Sequence, residues 1–191
     1  MRHLILSALL ATAVVGCSKS PNLHEADGVA AAVEKLREHV DGSTRVYEVA
    51  FGPSDGVTPD VATANLRYDE GGTMMFRGIL LSHDADRQLA PRTETLDFLA
   101  GNTPRPLSEV DFSNVATNVM ESTRYLPDDA VFRAVGSYRI RVNGTTQLED
   151  WVLHTTPEDE STTTRTGNRV EILYVEHRFE RGEDGTIRRV D

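Results

Sequence analysis

Apolar residues in this chain run together, then recur at helical spacing, then alternate, and each change of period predicts an element. From Leu4 to Val15 they are nearly continuous, broken only by Ser7 and Thr12. A transmembrane helix needs about 20 apolar residues, so this run is too short to span a bilayer. Over residues 26–40, Val29, Val33, Leu36 and Val40 form one stripe at helical period, with Glu34, Lys35, Arg37 and Glu38 largely off it. The spacing predicts an amphipathic helix, stopped at Asp41-Gly42 by a left-handed glycine. Residues 44–51 switch to period two, with Tyr47, Val49 and Phe51 on one face, so the helix is expected to pack on a sheet.

Residues 61–68 and 73–81 flank Asp69-Glu70-Gly71-Gly72, a connection of hairpin length. Ala62, Ala64, Leu66 and Tyr68 form one inward set, and Met74, Phe76 and Leu80 the set facing it. Residues 82–110 carry Pro91, Pro104 and Pro106 and read as a boundary or long crossover, with a short helix over 93–100. A second helix is predicted over 111–125 from Phe112, Val115, Ala116, Val119 and Met120, capped by Asp111 or Ser113. Residues 131–142 alternate most clearly: Phe132, Ala134, Gly136, Tyr138, Ile140 and Val142 against Arg133, Ser137, Arg139 and Arg141. Asn143-Gly144 then signals a type I′ hairpin, whose central residues both need positive φ, and 145–155 is the return strand. Residues 157–167 read as a polar loop, 169–180 as a long strand, and Glu183-Asp184-Gly185 as the turn into a last strand ending at Val190.

The helix-then-strands order appears twice, over 26–82 and 111–191. The expectation is an α+β fold, helices on antiparallel sheet, in two tandem helix-plus-meander units separated by 83–110. The alternative is a single curved-sheet cone. The last strands resemble the NTF2 family in this respect, carrying a similar turn at Glu183-Asp184-Gly185-Thr186-Ile187.

The apolar run at the start sits behind the positive Met1-Arg2-His3 and exits through small residues, the layout of a secretory signal peptide. Val14-Val15-Gly16-Cys17 resembles the lipobox of bacterial lipoproteins, with Val14 in place of the commoner Leu. The resemblance implies cleavage between Gly16 and Cys17, a diacylglyceryl group on the Cys17 thiol and an acylated (palmitate-type) amino terminus. Residues 1–16 would be the signal peptide and 17–25 a tether. In the sorting rules the resemblance implies, Ser18 in place of Asp beside the cysteine favours the periplasmic face of the outer membrane, while Lys19 and Ser20 keep the inner membrane as the alternative.

Composition narrows the picture further. Cys17 is the single cysteine, so no intrachain disulfide is available and the fold rests on packing and backbone pairing. The net charge of −10 becomes more negative once Arg2 is removed, which argues against nucleic acid and against electrostatic attachment to anionic headgroups. Membrane attachment therefore falls to the lipid, since two or three acyl chains anchor stably and one does not.

Candidate chemistry is sparse. His83, Asp84 and Asp86 have metal-ligand character, but the calcium-loop pattern is missing and turn chemistry explains the aspartates equally well, so no metal or cofactor is expected. His154 and His177, with Glu176, suggest an acid/base pair on facing strands, yet neighbours 176 and 177 point to opposite faces and no nucleophile accompanies them, so exposed strand histidines are the expectation. Trp151 reads equally as an aromatic anchor for a partner or as core. Arg133, Arg139 and Arg141 share a strand face, where they bind an acidic partner or join cross-strand Glu149 and Asp150 in an ion-pair ladder. The sequence thus points to a non-catalytic, lipid-anchored envelope lipoprotein that binds a protein partner as an accessory, inhibitor or immunity-type module. The alternative is an NTF2-like small-ligand pocket protein or small hydrolase.

Overall fold

The structure, a computed structural model, describes residues 21–53, 58–82, 88–94, 101–158, 163–166, 169–182 and 184–190. The expected signal segment, Cys17, the His83-Asp84-Asp86 cluster, residues 95–100 of the expected short helix and Glu183 lie outside these residues.

α1 (Ala26–His39) buries Val29, Val33 and Leu36, and Val40 follows them into the core as the stripe requires. The stop differs from expectation. Val40 turns extended at φ −136° and carries its side chain inward, while Gly42 keeps a negative φ. The segment before α1 is fixed as well. The Val61 N–H donates to the Pro21 carbonyl (2.8 Å), Asn22 bridges Asp60, and Leu23 is buried, so the expected tether ends before Pro21.

β1 (Arg45–Pro53), β2 (Val61–Glu70) and β3 (Thr73–Leu80) form a meander extended by β4 (Arg92–Thr93), and β5 (Arg105–Pro106) pairs with the start of β1. α2 (Val115–Ser122) follows, shorter than 111–125 and continued by a 3-10 turn over Thr123–Tyr125. Its N-cap is Asn114, with no side-chain cap; Asp111 accepts the Ser113 N–H (2.8 Å) in a turn ahead of the helix. β6 (Ala130–Asn143) and β7 (Thr146–Pro157) make the long hairpin. β8 (Thr163–Thr166) and β9 (Arg169–Ile172) form a separate two-stranded sheet, and β10 (Val175–Arg181) and β11 (Ile187–Arg189) complete the chain. The expected loop over 157–167 thus contains a strand, and the strand over 169–180 breaks at Leu173-Tyr174, where its two parts pair with different partners.

Among the described residues the main sheet is open, antiparallel and nine-stranded, in the order β11-β10-β7-β6-β1-β2-β3-β4 with β5 alongside β1. The β1–β6 pairing joins both halves into one sheet, and residues 105–106 belong to it, so 83–110 does not separate two sheets. The balance is mostly β, which corrects the expected weight of helix.

Three turns and bulges decide which side chains face inward. Gly71 and Gly72, at φ 61° and 85°, close a two-residue turn that pairs Glu70 with Thr73, and hence Tyr68 with Met75 and Leu66 with Arg77. The inner set on β3 is therefore Met75, Arg77 and Ile79, not Met74, Phe76 and Leu80. A bulge between Val46 and Glu48 brings Val46 inward in place of Tyr47. At the long hairpin the central residues are Gly144 and Thr145, and only Gly144 has positive φ (57°), so the turn is not type I′. Asn143 instead ends the strand and accepts the Thr103 N–H (2.9 Å).

The core lies on one face of the sheet, where Val49, Phe51, Leu66, Ile79, Ile140 and Leu153 meet the stripes of both helices. Trp151, 1% exposed, stacks between Tyr138 (5.3 Å) and Phe179 (6.2 Å) and donates its Nε1–H to Ser122 Oγ on α2 (3.0 Å). Beside it Glu149, 6% exposed, accepts from the Tyr138 hydroxyl and from Asn118 Nδ2 (2.6 Å) and Gln147 Nε2 (3.0 Å). Burial and the neighbouring carboxylate push the Tyr138 hydroxyl pKa strongly up, so it stays a donor.

Candidate functional site

Side chains that do not enter the core alternate onto the opposite face, and registration across β2, β1, β6, β7 and β10 sets them in rows. Arg67 lies opposite Glu48, Glu48 opposite Arg141, Arg139 opposite Asp150 and His154 opposite Glu176. Arg178 stands one place further along β10, across from Val152. The residues between them are small or short, Ala50, Asn65, Gly78 and Ser137, so the charged groups stand above a low surface.

Glu48 sits at the centre of this face and is 1% exposed. One carboxylate oxygen accepts from Arg67 Nη1, while the other, buried and without a hydrogen bond, faces Arg139 Nε at 4.0 Å. Burial raises the Glu48 pKa, against the pull of Arg67 and Arg139. Arg67 also donates to Glu94 (2.8 Å) and lies over the Phe76 ring at 5.4 Å, with Arg92 over the same ring at 4.7 Å. Phe76, expected inside, is thus on this face and serves as a platform for two guanidinium groups.

The arginines of this face differ in how firmly they are held. Arg67 is fixed between two carboxylates, and Arg141 donates to Asp150 at 3.0 Å. Arg133 spends its Nε–H on Thr156 Oγ1 (2.7 Å). Arg139 and Arg178 make looser ion contacts, Arg139 with Asp150 at 3.7 Å and Glu48 at 4.0 Å and Arg178 with Glu176 at 3.7 Å, and no hydrogen bond joins either side chain to the described residues. Both line a cavity of about 410 Å³ together with Ser137, Asp150, His154 and Glu176.

His154 and His177, expected to be exposed, are both buried, at 5% and 3%, and His154 forms part of that cavity. Its ring stacks on Tyr174 (4.0 Å) and approaches Glu176 at 3.7 Å. Gly136, the bulged residue between Val135 and Ser137, admits it: a β-carbon there would lie 2.7 Å from the His154 ring Cδ2. His177 lies on the core face and meets Thr155 Oγ1 at 2.9 Å, so the two histidines do not form a pair. Ser137 lines the same cavity as His154. Among the described residues no group of three or more His, Cys, Asp or Glu is arranged to hold a metal ion. Nor is any helix among them long and apolar enough to cross a membrane.

Of the residues the sequence marked for a partner, Arg139 and Arg141 share the ladder and Arg133 stands on the same strand, beyond its bulges. Trp151 does not join them. It is packed beneath α2, so the anchor reading is withdrawn in favour of core. Glu149 is likewise on the core face and takes no part in the ladder. Sequence reasoning missed Glu48, Arg67 and Arg178. Each is a charged residue alternating with apolar ones in a strand, but their common face depends on β1 lying beside β6, which no local pattern encodes.

Cations and anions alternate along this face, close to charge balance in a chain of net charge −10. No family model, no curated protein and no solved structure matches the chain.

Proposed function

We propose that this chain is a lipid-anchored envelope lipoprotein, tied to the periplasmic face of the outer membrane through acylated Cys17, whose domain binds a protein partner without catalysis. The outer sheet face is the docking surface, and its partner presents acidic side chains to Arg139 and Arg178. One observation carries this reading: these two guanidinium groups converge on one cavity with their donors uncommitted, while neighbouring Arg67 and Arg141 are held by carboxylates. Guanidinium donors that already make hydrogen bonds gain little from a partner, whereas uncommitted ones gain charge-assisted bonds. We read the two halves, each a helix followed by a meander, as like units joined through β1 and β6; the open sheet favours this over a closed cone.

The test is cross-linking in intact envelopes followed by recovery of the full-length protein. A protein recovered with the native chain, lost with the double variant Arg139→Glu and Arg178→Glu, and retained with Met120→Ser on exposed α2 supports the reading. Equal recovery with all three contradicts it. Replacement of Cys17 by Ala is expected to release the chain from membranes, and persistent membrane association would remove the anchor.

A second reading, a small-ligand pocket protein, is favoured by His154 and Glu176 on the same cavity. That cavity is polar-lined where such pockets are mostly apolar. Saturable binding of a small carboxylic acid, abolished by Arg178→Glu in the absence of any protein partner, would select it.

A further inference from the structure

Away from the outer face, α1 and the segment leading into α2 border an apolar groove of about 540 Å³. Val29, Val33, Val110 and Phe112 form its buried floor, and Ala30 and Ala116 stand along its sides. Its polar residues, Glu34, Arg37, Asp111 and Ser113, are all exposed.

The chain reaches this groove from the lipidation site over a short path. The Pro21 carbonyl is held by Val61, Asn22 bridges Asp60, and Asn22 Oδ1 accepts the Glu25 N–H (3.1 Å), so the backbone is fixed from Pro21 into α1. Only residues 18–20 separate Cys17 from that fixed point, a span of at most about 14 Å when fully extended. The groove begins at Ala26, the first residue of α1. A ligand attached to Cys17 therefore stays near the groove at high effective concentration, which neither a second copy of the chain nor a free solute shares.

We infer that one acyl chain of lipidated Cys17 lies in this groove while the others remain in the bilayer. The inference rests on the lipoprotein reading above. It accounts for an apolar recess at the start of α1, where the tether enters the fold, and it orients the domain: α1 faces the membrane, and the ladder on the opposite side of the sheet faces away. Burying one chain leaves fewer for the bilayer, and stable anchoring requires more than one.

The test uses the native protein in its own membranes, labelled metabolically with a photoreactive palmitate analogue, irradiated and mapped by mass spectrometry. The expected product joins the Cys17 peptide through its acyl chain to a peptide containing Val29 and Val33 or containing Phe112. It should fall to background in Ala30→Glu, an exposed position on the groove wall, with labelling of Cys17 unchanged. Label on Cys17 with cross-links only to bilayer lipid overturns the inference while leaving the anchor intact. A groove peptide bearing a lipid not attached to Cys17 also overturns it. Absence of label from Cys17 removes the anchor and the inference together.

Discussion

Each face of the sheet buries one glutamate, and the two are handled by opposite chemistry. On the core face Glu149 is surrounded by neutral donors, Tyr138, Asn118 and Gln147, and closed over by α2. On the outer face Glu48 is met by the cations Arg67 and Arg139, with one carboxylate oxygen left without a hydrogen bond. Neutral donors satisfy a charge with short, fixed bonds and give a unique packing. On the outer face Arg67 is committed to Glu48 and Glu94, while Arg139 stands at 4.0 Å from Glu48 without a hydrogen bond and keeps its donors for other acceptors. The first arrangement is closed within the fold, and the second leaves guanidinium donors on the surface.

Substitutions on the two faces should therefore differ in size and kind. Trp151→Ala, which empties the space between Tyr138 and Phe179, should cost about 3–5 kcal/mol by chemical denaturation. Tyr138→Phe removes one of the donors to Glu149 and should cost about 1–3 kcal/mol, with little change in the denaturant slope. Gly136→Ala forces the His154 ring from its seat; a loss of about 1–3 kcal/mol is expected, with a shift of the His154 ring resonances by NMR. Arg141→Ala should cost no more than about 1 kcal/mol, because its pair with Asp150 is partly solvated and screened. A loss at Arg141 as large as that at Trp151 would erase the distinction between the faces.

Glu48 sharpens the comparison through pH. Its carboxyl binds a proton more tightly in the folded chain, where its pKa lies above the ordinary 4.5, than in the unfolded one. Its contribution to stability is then fully present below that ordinary value and is lost as pH rises through the raised folded value. Asp41, Asp111 and Asp184 act in the opposite sense, since hydrogen bonds from Ser43, Ser113 and Thr186 lower their pKa values and stability falls with acidification. The informative quantity is thus the difference between native protein and Glu48→Gln. The stability of Glu48→Gln relative to the native chain should increase as pH rises from about 4.5 toward neutrality. A pH-independent difference would contradict the raised Glu48 pKa.

Much of this was legible in local pattern. The stripe of Val29, Val33, Leu36 and Val40 gave α1 and its buried face, and alternation through Tyr138, Ile140 and Val142 gave the inner side of β6. Alternation alone, however, names two faces without saying which is covered. Trp151 was ambiguous for that reason, and its place was decided by Tyr138, Phe179 and Ser122 on three other elements. The inner set on β3 was missed because the even-numbered residues of β2 pair with odd-numbered residues of β3, Tyr68 with Met75 and Leu66 with Arg77, and choosing the other alternation exchanges the faces. The bulge at Gly136, the pairing of β1 with β6 and the break at Leu173-Tyr174 are non-local in the same way. The candidate site was half legible: Arg139 and Arg141 were read from their own strand, while Glu48 and Arg178 joined them only through sheet order.

The central claim is that Arg139 and Arg178 are occupied by a partner in the envelope. The most direct measurement is footprinting with an arginine-directed reagent, comparing intact envelopes with the purified protein and reading each arginine by mass spectrometry. The account predicts that Arg139 and Arg178 react in the purified protein and are protected in the envelope, while exposed Arg188 reacts equally in both. Equal reaction of Arg139 and Arg178 in both states would contradict it.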